Sequence, residues 1–110
     1  MTKGNSAIMN QTMKLFKHTR SGSYATRDRY LKSCKTFVNF LDENFKMKSL
    51  RNLQDKHLVA FAEYRQAEGI SDKTLKNDLG AIRYLHDMVH NAKYELASNQ
   101  QLRQEHDVYL

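Results

Sequence analysis

A chain of 110 residues suffices for one domain that buries its own core without metal or disulfide staples, and two domains would be cramped in it. Hydrophobic residues at 40% and charged residues at 27% match a soluble globular protein and exclude wholesale disorder, and the opening MTKGNSAIMN has no apolar run of signal-peptide or membrane-span length. A net charge of +6 and a pI near 9.5 point to a polyanionic partner, nucleic acid before an anionic membrane surface.

The charge is uneven. Residues 1–35 hold eight basic side chains against the single acid Asp28, a local +7 that exceeds the +6 of the whole chain. Cys34 is the sole cysteine and has no internal disulfide partner, so a reducing, cytoplasmic setting is expected.

Proline is absent and apolar residues recur at helical spacing, which makes the fold class all-α, a bundle of four to five helices. A first, weak helix is predicted over 8–20 with Met9, Met13 and Phe16 on its apolar side, loosely docked. Ser21 and Gly22 supply a turn and Ser23 an N-cap. The second helix, 24–45, carries the longest stripe, Tyr30, Cys34, Phe37, Leu41 and Phe45, widened by Leu31 and Val38. Arg29, Lys32, Lys35 and Asn39 fall on its opposite side, which gives one apolar and one basic face.

A third helix, 55–67, buries Leu58, Phe61 and Ala62, with Leu50 and Leu53 packing from the preceding loop and Gly69 ending it in a left-handed cap. Ser71 then caps a fourth helix that reaches residue 90, with Leu75, Leu79, Ile82, Leu85 and Val89 inward and Lys73, Asn77, Gly80 and Tyr84 outward. A glycine inside a helix is unfavourable, so Gly80 implies close approach by another helix or by DNA. The tail over 91–110 is polar with weak periodicity around Leu96 and Leu102, and partial disorder is expected there.

Side-chain constellations for chemistry are sparse. His86 and His90 stand one turn apart like the pair of a zinc protease, but a third ligand is missing, and a hydrogen-bonded core histidine is the expected role of His86. Cys34 is expected to be a small buried hydrophobe. Of the tyrosines, Tyr30 belongs to the core stripe, which leaves Tyr24 and Tyr84 to meet DNA. Scattered acids such as Asp42, Glu43, Glu63, Glu68 and Asp72 form no carboxylate pair, and no phosphate-binding glycine loop is present, so neither a metal nor a cofactor is expected.

The stretches GSYATRDRY at 22–30, FVNFL at 37–41, LRNLQDKHL at 50–58 and AEGISDKTLKNDLGAIRYLHD at 67–87, followed by ELASNQQL at 95–102, resemble in order and spacing the N-terminal SAM-like, or core-binding, domain of phage integrases, the tyrosine recombinases. The resemblance implies a helical bundle that forms half of a clamp around duplex DNA, with a separate catalytic domain of the same recombinase closing the other half. It also implies that this chain is not itself an enzyme, since the nucleophilic tyrosine and its arginine, lysine and histidine partners belong to that later domain. Tyr109 has no such motifs around it. The division expected is an extension over 1–20, the DNA-binding unit over 21–102, and a tail over 103–110 leading toward the catalytic domain. A monomer in isolation and an oligomer on DNA are expected, with no membrane role.

Two helix starts, 23–29 and 71–77, are rich in Ser, Thr, Lys and Arg, and a helix N-terminus donates free N–H groups to phosphate. The expected DNA-facing residues are Ser23, Tyr24, Thr26, Arg27, Arg29 and Lys32 at the first, and Lys73, Thr74, Lys76 and Asn77 at the second. The helical angle of Thr26 also suits a capping or packing role, and Asn77 has the donor and acceptor pair to read an adenine edge. The competing reading is a helical protein–protein adaptor whose basic face meets an acidic partner.

Overall fold

The computed structural model describes residues 6–18 and 23–110, and among them five α-helices and one 3₁₀ turn occur with no β-strand. The helices are α1 (Ala7–His18), α2 (Tyr24–Asn44), α3 (Asp55–Ala67), α4 (Asp72–Met88) and α5 (Asn99–Glu105), with the 3₁₀ turn at Leu50–Asn52 between α2 and α3. The predicted Ser21–Gly22 turn and the last two residues of the predicted first helix lie outside the described residues.

α1 starts where the Ser6 hydroxyl accepts from the Met9 N–H at 3.0 Å. Its buried face is Ile8, Thr12 and Phe16, which corrects the expected Met9–Met13–Phe16 face: Met13 stays 38% exposed. Thr12 tolerates full burial because its hydroxyl donates to the Ile8 carbonyl at 2.9 Å. Loose docking is corrected as well. Gln11 accepts from the Leu50 N–H at 2.9 Å and donates to the Lys48 carbonyl at 3.3 Å, which fastens α1 to the segment leading into α3.

α2 opens at Ser23, whose extended backbone (φ −75°, ψ 157°) aims its hydroxyl at the Thr26 N–H, 3.1 Å away. Cys34, Phe37, Val38 and Leu41 are buried as the stripe requires, but Phe45 is 37% exposed, just past the helix end. Phe40, which the stripe left out, is buried instead. It packs against Phe61 (5.4 Å between centroids) and Tyr64 (4.9 Å), so α3 covers a flank of α2 that helical spacing alone left open.

α3 spans the predicted residues, and Leu50, Leu53, Leu58, Phe61 and Ala62 are all buried. Gly69 adopts the left-handed φ of +83° and its N–H returns to the Gln66 carbonyl at 3.0 Å, as the cap requires. At the other end the buried His57 accepts from the Gln54 N–H through Nδ1 at 2.9 Å. Burial, helped by the charge of Lys56, lowers the His57 pKa below its usual 6.5. The unfolded chain therefore takes up the proton first, and stability falls as pH drops through about 6.5 toward the lower folded value. Melting temperatures between pH 7.5 and 5.5 should show this loss, and His57→Gln should flatten it; an unchanged slope in that variant would assign the acid sensitivity elsewhere.

α4 begins at the expected cap, with Ser71 accepting from the Thr74 N–H at 3.1 Å. It ends two residues short of the predicted end because Val89 turns to extended backbone (φ −77°, ψ 124°). Leu75, Leu79, Ile82 and Leu85 line the core, and Val89 is only partly buried.

Expected disorder in the tail is also corrected. Ser98 and Gln101 form a reciprocal capping box that starts α5, and Leu102, Ala97 and Val108 are buried. Polar anchors do the rest: Asp55 accepts from the Ala97 N–H at 2.7 Å, Arg83 donates to the Ala97 carbonyl at 2.9 Å, and Arg51 donates to the Asn91 carbonyl at 2.9 Å. At the centre α2 lies on α4, with Ser33 against Asp78, Cys34 against Ala81 and Tyr30 against Tyr84, so the two helices run in opposite senses.

Candidate nucleic-acid interface

That opposite sense decides where the two Ser-capped helix starts lie. Ser23 precedes the Ser33–Asp78 contact by ten residues on α2 and Ser71 precedes it by seven on α4. At about 1.5 Å of rise per residue the caps lie roughly 15 Å and roughly 10 Å from that contact, on different sides of the crossing. They are two separate footholds, not one patch. Both carry the same Ser-x-x-Thr arrangement, in which the serine hydroxyl also donates to the threonine hydroxyl, at 2.9 Å for Thr26 and 3.0 Å for Thr74.

At the first foothold the side chains are unequally available. Tyr24 is 82% exposed, and Ser23 and Arg29 are exposed. Lys32 is exposed but pairs with Asp28 one turn earlier, at 3.3 Å. Thr26 is half-buried in its capping role, and Arg27 is half-buried with its guanidinium donating to the Phe16 carbonyl at the end of α1. Its partner lies on another helix, which no spacing rule reveals. A cleft of about 520 Å³ opens between α1 and α2 beside these residues, and Lys14, Lys17 and His18 line it with Tyr24 and Arg27. Sequence reading left those α1 cations out because it treated α1 as an extension.

At the second foothold Lys73, Thr74, Lys76 and Asn77 are all exposed. Lys73, Lys76 and Asn77 make no side-chain hydrogen bond or ion pair among the described residues. Gly80 follows on the same outer stripe, one turn beyond Asn77 and Lys76. A Cβ built there would meet nothing within 4 Å, so no described residue supplies the expected close approach. Glycine in mid-helix costs ~1 kcal/mol relative to alanine, and no described residue recovers it. Tyr84, next along the stripe, is partly buried and packs its ring at a tilt against Phe16 (5.7 Å) and Tyr30 (5.0 Å).

The remaining constellations are structural. His90 lies beyond the end of α4, so it does not share a helix face with His86. His86 is half-buried and its Nε2 has no hydrogen-bond partner, which corrects the hydrogen-bonded role expected of it. Among the described residues no group of three or more His, Cys, Asp or Glu is placed to hold a metal ion. Cys34 donates to the Ala81 carbonyl at 3.3 Å, and burial, aided by Asp78, pushes its thiol pKa up to about 12. Asp78 is a further buried polar residue that sequence reading missed. Its carboxylate is buried, accepts from the Ser33 hydroxyl at 2.8 Å and faces the Arg65 guanidinium at 3.5 Å, tying α2, α3 and α4 together.

No described helix is long and apolar enough to cross a membrane. In comparison with known proteins, the family described as phage integrase, N-terminal, matches residues 6–94. The match takes in α1, which the resemblance over 22–102 left out, and stops before α5. No curated protein and no solved structure matches the chain.

Proposed function

The chain belongs to the phage integrase N-terminal family, and on that premise we propose that it is the DNA-binding domain of a site-specific tyrosine recombinase. In this reading it grips duplex DNA at the core recombination site for a separate catalytic domain of the same protein. It acts as a monomer alone and within an oligomer on DNA. The observation that carries the reading is the group Lys73, Thr74, Lys76 and Asn77, exposed around the capped start of α4, where lysines and free N–H groups suit phosphate oxygens. Ser23, Tyr24, Arg29 and the α1 lysines form the first foothold, with Lys32 contributing once Asp28 is displaced and Thr26 and Arg27 holding the helix start in place.

Fluorescence anisotropy with a short random duplex tests the reading. One side of a clamp should bind with a dissociation constant on the order of 10⁻⁴–10⁻⁶ M, weakening steeply between ~50 and ~200 mM salt. Absence of binding at low salt, together with capture of an acidic protein, would favour the adaptor reading. Lys73 and Asn77 should then divide the work. Lys73→Ala should weaken all sequences alike and reduce the salt slope by about one unit. Asn77→Ala should cost ~1–3 kcal/mol on the cognate site only. Equal losses on cognate and random duplex would reduce Asn77 to a backbone contact.

A further inference from the structure

Gly80 sits in the interior of α4, on its outer stripe, with ordinary helical backbone and open space where a Cβ would stand. Among the described residues neither of the usual intramolecular reasons for a helical glycine applies: φ is not positive, and no described element presses on the position. The residue disfavours its own helix and gains nothing from any described part of the chain. An external surface that comes flush to the helix backbone would account for it.

The surroundings say what kind of surface. Lys76 lies one turn before Gly80 and Lys73 two turns before, both exposed and without an anionic partner among the described residues, and Asn77 lies beside them. A flat approach at Gly80 flanked by two uncompensated cations suits a polyanion whose charges are spaced along its length. We infer that Gly80 is the point where the sugar–phosphate backbone of duplex DNA comes closest to the domain, with the lysines reaching phosphates on its N-terminal side. This rests on the DNA-binding reading above and deepens it: the glycine sets how closely α4 seats, and the cations set the charge-dependent part of the affinity.

Substitutions at Gly80 test this in the full chain, because a Cβ at this position meets no described residue. Gly80→Ala should raise the melting temperature by about 4 °C, from the helix preference of alanine. It should nevertheless weaken binding to a random duplex roughly tenfold, since the added methyl holds the helix off the backbone. Gly80→Leu should weaken binding further. Neither variant removes a charge, so both should keep the wild-type salt slope, in contrast to Lys73→Ala. If the wild-type chain binds duplex and both variants bind it equally well, the seating role of Gly80 is wrong while the DNA-binding reading stands. If the wild-type chain itself fails to bind duplex at low salt, both fall together. Altered salt slopes in the glycine variants would also overturn the inference, because they would show a change in charge contacts and not in distance.

Discussion

Phe37→Ala is expected to leave the domain largely unfolded or with a sharply lowered melting temperature. The ring is fully buried at the middle of α2 and meets Phe61 of α3 edge to face at 5.0 Å, so its removal opens a cavity between two helices at once. Losses of this kind run to ~3–5 kcal/mol, a large share of the stability of a domain this size. Thermal unfolding followed by circular dichroism reads the effect directly. A melting temperature equal to that of the wild type would remove Phe37 from the centre of the core and with it the seating of α2 on α3.

Asp78→Ala is expected to cost about 2–3 kcal/mol. The carboxylate accepts from the Ser33 hydroxyl and forms an ion pair with the Arg65 guanidinium, and alanine removes both interactions. The loss is held below that of a fully buried ion pair because Arg65 keeps 20% of its side chain exposed and retains Glu68 at 2.8 Å. Asp78→Asn should lose only about 1 kcal/mol, since an amide oxygen still accepts from Ser33 while the attraction to Arg65 is gone. Urea denaturation of both variants separates the two contributions. Equal stability of Asp78→Ala and the wild type would show that the three-helix tie contributes nothing net.

What the sequence revealed depends on whether the deciding interaction was local. α3 was legible to the residue because its punctuation is local: the left-handed conformation at Gly69 ends it, and Ser71 starts the next helix two residues later. The exposed side chains at the start of α4 were legible because helical angle fixes which way they point. α1 was misjudged because its middle inward residue is Thr12, polar by composition yet satisfied by its own helix. The tail was misjudged for a related reason, since it is held by Asp55, Arg83 and Arg51 from three other elements as well as by apolar residues of its own. Phe40 and Arg27 were hidden because their roles depend on which neighbouring helix lies beside them, α3 for one and the end of α1 for the other.

Cys34 gives the domain an internal clock for its own unfolding. The thiol is fully buried on the α2–α4 contact, bonded to the Ala81 carbonyl, and held protonated by its surroundings, so an alkylating reagent finds no thiolate to attack in the folded chain. It is also the sole cysteine, so each modified molecule records one event at one place. Exposure of the sulfur requires α2 and α4 to part, which is the loss of the core itself and not the fraying of an end. The rate of labelling therefore counts global openings of the native protein without denaturant and without an introduced probe. A duplex that binds only the folded form slows that clock by the factor its affinity dictates.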